Sequence, residues 1–169
     1  MTIKKYNLAF IPKSSIDTFV SLISEEKPYT NGYCISHQSL PHITICQFFF
    51  DSLLIENIWR EICNQIEQTS LRISFSSYSN ITFDNNIYWL SLIPNEAEHL
   101  KKLFEIVSNH IEPIRKDLYD PHLTLFNYMK KDSDITRKML RRDIFIEDEF
   151  DLVLGDCDEI GQLSKSILP

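Results

Sequence analysis

Histidine and threonine two positions apart occur twice in the same setting: Pro41-His42-Ile43-Thr44-Ile45 and, 80 residues on, Pro121-His122-Leu123-Thr124-Leu125. The alternation of these residues reads as a strand in both copies, and side chains two apart on a strand project from one face. His42 and Thr44 therefore share a face, as do His122 and Thr124, while Ile43, Ile45, Leu123 and Leu125 point the other way. Two such strands side by side gather two imidazoles and two hydroxyls. An unperturbed imidazole titrates at about pH 6.5, so one member of a pair can be neutral while the other is protonated. Such a pair takes a proton from an attacking hydroxyl or water and returns one to a leaving oxygen, each role typically worth about 10²–10⁴ in rate. The threonine hydroxyls can donate to the non-bridging oxygens of a phosphate, where charge grows during reaction. This equipment suits the cleavage of a phosphodiester without a metal.

The elements that must position these residues are also written twice. Tyr6-Asn-Leu-Ala-Phe-Ile-Pro12 and Tyr88-Trp-Leu-Ser-Leu-Ile-Pro94 lie 82 residues apart and share Tyr, Leu, Ile and Pro at matching places. Each precedes a helical pattern and then a His-x-Thr strand. In the first half, Ser14 or Ser15 caps a helix with Ile16, Phe19, Val20 and Ile23 on one face, and Pro28, Asn31 and Gly32 open a loop. The motif strand runs from about Ile43 to Phe50. Asp51 or Ser52 then caps a second helix bearing Ile55, Ile58, Trp59, Ile62 and Ile66. Leu71 to Phe83 reads as a strand, and Asp84-Asn85-Asn86 as a turn. In the second half, Asn95 and Glu98 are spaced as a capping box ahead of a helix with the stripe Leu100, Leu103, Phe104, Val107 and Ile111. The second motif strand spans about His122 to Tyr128, a short helix is expected from Ser133 to Arg141, and Phe150–Leu154 and Ile160–Leu168 read as closing strands. Each half is thus β-α-β-α-β with the motif on its second strand. The expected fold is one α+β domain over 1–169, a bilobal pseudo-twofold repeat with lobes of approximately 1–84 and 85–169.

Composition narrows the setting. The chain has 169 residues, 43% hydrophobic and 24% charged, as in ordinary globular proteins. It shows no signal-peptide pattern and no run long enough to span a membrane, so a cytoplasmic location and no membrane partner are expected. Cys34, Cys46, Cys63 and Cys157 have no close-paired spacing, which suggests free thiols. With only three glycines there is no phosphate-cradling loop of the P-loop or dinucleotide kind. A net charge of −7 argues against wrapping long duplex nucleic acid but leaves room for a small nucleotide or an RNA terminus. Lys130, Lys131, Arg137, Lys138, Arg141 and Arg142 form a basic cluster that would either steer an anion toward the motifs or line a solvated helix face.

Two His-x-Thr motifs in the two halves of a chain this size, each preceded by Pro and followed by an aliphatic residue, resemble the two-histidine (2H) phosphoesterases. That superfamily includes the 2′-5′ RNA ligase-like proteins and the 2′,3′-cyclic nucleotide phosphodiesterases. The resemblance covers essentially the whole chain. It implies antiparallel sheets lining a concave cleft with helices outside, and metal-independent action on 2′-linked or cyclic phosphates. Carried over by motif, His42 and His122 are the acid and base, and Thr44 and Thr124 the phosphate clamps. No cofactor is implied, and a monomer is expected.

Strict alternation along the motif strands puts Phe48 and Phe50 on the face of His42, and Phe126 and Tyr128 on that of His122. Phe48, Phe126 and Tyr128, with Tyr6 on a neighbouring strand, are therefore candidates for stacking a base; core packing is the competing reading, with Tyr128 the better candidate. His99 and His110 fall off the apolar stripe of their helix and read as surface residues, and His37 lies in the loop before the first motif. A metal site of His37, His42, Cys34 and Cys46 matches no common ligand spacing, so no metal is expected. The activity these residues point to is hydrolysis of a 2′,3′-cyclic phosphate or of a 2′-5′ or cyclic oligonucleotide. The alternative is a nucleotide- or RNA-end-binding module that keeps the cleft without turnover.

Overall fold

The computed structural model describes residues 2–14, 16–24, 32–82, 86–115, 119–129, 140 and 143–168. Their order is β1 (Ile3–Pro12), α1 (Ile16–Ser24), β2 (Ile43–Asp51), α2 (Ile55–Cys63), β3 (Ser70–Thr82), β4 (Ile87–Pro94), α3 (Glu98–Ser108), β5 (Leu123–Met129), β6 (Ile146–Cys157) and β7 (Leu163–Leu168). The helix expected from Ser133, the basic cluster, Ser15, Pro28, Asn31 and the Asp84-Asn85 part of the turn lie outside the described residues.

All strand pairings are antiparallel, in the order β1-β2-β5-β4-β3-β6-β7, and a further β1–β6 pairing closes the first six strands into a ring. The third strand of each repeat crosses over. β3, from the first half, pairs with β4, and β6, from the second, pairs with β1. Each sheet unit therefore contains strands of both halves, and neither half's sheet is complete without the other.

The doubling seen in sequence reappears as doubled register. Tyr6 stands opposite Phe48, Asn7 opposite Gln47 and Ala9 opposite Thr44; in the second repeat Tyr88 stands opposite Tyr128, Trp89 opposite Asn127 and Ser91 opposite Thr124. Each pairing is interrupted at the same place, between Leu8 and Ala9 and between Leu90 and Ser91, where Ile45 and Leu125 are the extra residues of a β-bulge. The burial pattern of Ile43–Phe49 is repeated at Leu123–Met129, with two successive buried residues at each bulge.

The helices lay their apolar stripes on the face of the strands that carries Tyr6, Leu8, Cys46, Phe48, Leu90 and Phe126, forming one core. Ile55, Ile58, Trp59 and Ile62 of α2 and Leu100, Leu103 and Val107 of α3 are buried as the periodicity predicts. Phe19 of α1 meets Phe75 and Phe150, one from each crossing strand, edge-on at 5.9 and 6.0 Å. Each such side chain, fully buried, contributes about 1.5–3 kcal/mol. The expected caps differ. Neither α2 nor α3 has a side-chain cap at its N-terminus. Asp51 instead accepts from the Thr2 and Leu53 backbone amides, Ser14 bonds Asp148, and Asn95 bonds Ser74 and Ser76 of β3. These side chains tie strands and turns together, a competing use of the same short polar groups.

Candidate active site

β2 and β5 pair through a single couple, Ile43 with Leu123, the middle residue of each His-x-Thr. Extended by one residue either way, that antiparallel register sets His42 across from Thr124 and Thr44 across from His122. Directly opposed side chains share a face, about 4.5–5.5 Å apart at Cβ. Beyond the couple the two strands part. The edge of β5 is taken by the segment before the first motif, with Ile35 N–H donating to Leu125 at 2.9 Å and Asn127 N–H to Tyr33 at 3.0 Å. The edge of β2 receives the corresponding segment of the second half: Ile114 N–H donates to the Gln47 carbonyl at 2.8 Å, and the Tyr119 hydroxyl to that of Thr44 at 2.9 Å. Each repeat thus braces the motif strand of the other.

Both imidazoles are held by the same local bond. Nδ1 of His42 lies 2.7 Å from the Leu40 carbonyl, and Nδ1 of His122 lies 2.7 Å from that of Asp120. A carbonyl only accepts, so Nδ1 carries the hydrogen in each ring and Nε2 of the neutral ring is left with its lone pair. The threonines are also set alike. Thr44 Oγ1 accepts from Asn7 Nδ2 at 3.1 Å, and Thr124 Oγ1 accepts from Ser91 Oγ at 3.3 Å. With an acceptor lobe occupied, each threonine O–H is free to donate to an anion.

The histidines differ in their surroundings. His42 is only 5% exposed, whereas His122 is half-buried. Removal from water lowers the pKa of His42 below the usual imidazole value, with the Leu40 carbonyl opposing; facing charge on His122 lowers it further, while the Gly161 carbonyl and Asp158 act the other way. The cover over His42 is the β6–β7 turn. Leu163 packs with Ala9 and Val153, and its carbonyl accepts from Leu40 N–H at 3.0 Å. Gly161 adopts φ +87° beside the end of the Gln47 side chain, a backbone conformation that disfavours any residue with a Cβ.

Four sequence candidates are not in the cleft. Tyr6, Phe48, Phe126 and Tyr128 are 2%, 1%, 1% and 2% exposed, and they lie in the core on the face opposite the threonines. For Phe48, Phe126 and Tyr128 the bulges are the reason, because one extra residue at Ile45 and at Leu125 inverts the alternation that follows; Tyr6, opposite Phe48 on β1, shares that side. The residues that continue the His and Thr face are Gln47 and Asn127, with Phe49 and Met129 beyond them, both exposed. Phe50, opposite Lys4, follows Phe48 onto the core side. From the neighbouring strands the same face receives Asn7, Ala9, Trp89 and Ser91. Tyr33 completes the surroundings, its ring 6.4 Å from that of His42 and 5.8 Å from Trp89. Asn7, Tyr33, Trp89 and Ser91 were not singled out by the sequence reading. The signal was present: polar residues fall at 42, 44 and 47 and again at 122, 124 and 127, a break of phase that betrays the bulge.

His99 and His110 are exposed, and His37 pairs with Asp17 at 3.2 Å on the surface. The four cysteines are free thiols; Cys46 lies in the core, its pKa pushed up to about 12 by burial. Among the described residues, no group of three or more His, Cys, Asp or Glu is placed to hold a metal ion. No described helix is long and apolar enough to cross a membrane.

Comparison with solved structures gives the same arrangement a context. Escherichia coli LigT in its apo form superposes with a TM-score of 0.62 at 10% identity, over 94% of this chain and 90% of that one. Kluyveromyces marxianus Usb1 does so with a TM-score of 0.55 at 11% identity, over 91% and 93%. The fold is that of the 2H phosphoesterases. A third structure with this 2H fold, described as a phosphoesterase, has a TM-score of 0.58 at 12% identity, over 92% of this chain and 89% of that one. No protein-family model matches the sequence, and no curated protein does. The 2H fold is therefore reached through coordinates, at identities of 10–12%.

Proposed function

We propose that the chain is a phosphodiesterase that works without a metal, opening a 2′,3′-cyclic phosphate or cutting a 2′-5′-linked or cyclic oligonucleotide. The observation that supports the reading is the Ile43–Leu123 couple, whose antiparallel register sets His42 across from Thr124 and Thr44 across from His122. One imidazole removes the proton from the attacking water or ribose hydroxyl as its oxygen bonds to phosphorus. The other delivers a proton to the leaving oxygen as the old P–O bond breaks. Thr44 and Thr124 donate to the non-bridging oxygens, where negative charge accumulates.

The 2H fold supports a phosphoesterase kind of chemistry, and the ligands held by neighbouring structures support a nucleotide as substrate. Kluyveromyces marxianus Usb1 is known with uridine monophosphate, and Escherichia coli LigT with NADP+ and with ATP. For a base, the His and Thr face offers Trp89, beside Tyr33. The test is a screen of 2′,3′-cyclic nucleotides and 2′-5′-linked and cyclic oligonucleotides, with the phosphate position assigned in each product. Turnover is expected, and is expected to be unchanged by EDTA. Calorimetric heat without product would mean a binding module instead, and loss of activity in EDTA would contradict metal-free action.

A further inference from the structure

Asn7 lies in β1, fully buried, on the face that carries Ala9, Thr44 and Gln47. Its amide nitrogen is 3.3 Å from Nε2 of His42 and 3.1 Å from Oγ1 of Thr44, so one –NH2 group spans both polar side chains of the first motif. Because Nδ1 of His42 is committed to the Leu40 carbonyl, Nε2 of the neutral ring accepts, and an amide N–H is a matching donor. The other end of the amide is out of balance: Oδ1 is buried without a hydrogen-bond partner among the described residues. Buried acceptors are almost always paired, so an orphan beside reactive groups calls for an explanation.

Half a turn of the amide supplies one. It would bring Oδ1 against Nε2 and Thr44 Oγ1, an arrangement suited to a ring that carries hydrogen on both nitrogens. The amide therefore has two settings, one for each protonation state of His42. The second repeat has no counterpart. The register that sets Asn7 opposite Gln47 sets Trp89 opposite Asn127, and an indole has one donor and no acceptor. The repeat is symmetric in its histidines and threonines and asymmetric at this place.

We propose that Asn7 is a positioning residue that makes the two histidines unequal, holding His42 as the proton acceptor and leaving His122 as the donor. The assignment rests on the phosphodiesterase reading above and deepens it. As the nucleophile's oxygen bonds to phosphorus, the Asn7 N–H gives up the Nε2 lone pair of His42, the nucleophile's proton passes to it, and the turned amide receives the new N–H at Oδ1. The leaving oxygen takes its proton from Nε2 of His122, whose half-buried ring keeps a charged form hydrated. Besides Asn7, the groups facing the His42 ring are His122 just before β5, Asp158 and the Gly161 carbonyl from the β6–β7 turn, the Leu40 carbonyl, and the Tyr33 ring.

Two-bond proton–nitrogen correlation of the imidazoles, followed against pH, tests this without any need for activity. In the wild-type protein, neutral His42 is expected as the Nδ1–H tautomer. Asn7→Asp replaces the donor by a charged acceptor and is expected to raise the His42 midpoint by about one pH unit or more. Asn7→Ser, the variant to use if the aspartate fails to fold, is expected to move the Nε2 resonance toward that of an unbonded ring. An Nε2–H tautomer in the wild-type protein, or an unmoved His42 in a folded variant, would overturn the proposal. A kinetic arm uses a nucleotide p-nitrophenyl diester, whose leaving group needs no acid. With it, the defect of His122→Ala is expected to shrink at least about tenfold while that of Asn7→Ser persists; the opposite pattern would reverse the assignment. Absence of wild-type turnover on every diester would instead sink the underlying phosphodiesterase reading, a result separate from the nitrogen titration.

Discussion

His42 sits beneath the β6–β7 turn, and a charged imidazole there has lost most of its water. Its proton is therefore given up below the ordinary value of 6.5, chiefly through burial. The sign for stability follows from linkage. The unfolded chain binds the His42 proton more readily than the folded one, so this contribution is complete above about pH 6.5 and is lost as pH falls toward the folded value. Urea denaturation between pH 7.5 and 5.5 is expected to show stability falling by up to about 1.4 kcal/mol per pH unit from this residue. His42→Gln, which cannot be protonated, is expected to remove that part of the slope; an identical slope in the variant would show that His42 carries no buried-imidazole penalty. In activity, the same shift places the acid limb of kcat/KM below the usual imidazole range if His42 is the base.

Elements decide which side chains reach the cleft. Tyr119 shows how far the bracing extends: its ring stacks on Phe104 of α3 at 4.7 Å, and its hydroxyl donates to the Thr44 carbonyl at 2.9 Å. A helix is thereby linked to the backbone of Thr44 in the first motif. Tyr119→Phe leaves the stack and removes the donor, so a loss of about 0.5–1.5 kcal/mol is expected by thermal or chemical denaturation. No measurable change would mean that the Thr44 carbonyl finds another partner. The order of strands and helices was legible in sequence because the apolar stripes of α1, α2 and α3 and the repeated Tyr-to-Pro segments follow simple periods. The common face of His42 with Thr44, and of His122 with Thr124, was legible because these residues precede the bulges. Phe48, Phe126 and Tyr128 were misread because a bulge changes the phase of a strand without changing its composition, and Tyr6 because a strand beside the cleft also has a core face. Asn7 and Ser91 were passed over because their value lies in what stands across the sheet from them, which no spacing along one strand reveals.

At the scale of the whole molecule, the exchange of β3 and β6 makes the site a shared product of both halves. β1 is fixed between β2 and β6, and β4 between β5 and β3, so the meeting of the motif strands depends on a closed ring and not on a hinge between two lobes. A single bound phosphorus served by His42 and His122 together is the central claim. The most direct measurement is single-turnover cleavage of the best nucleotide substrate by His42→Ala and by His122→Ala, each verified as folded. Each substitution is expected to slow cleavage by at least about 10²-fold. Full activity in either variant would contradict the account.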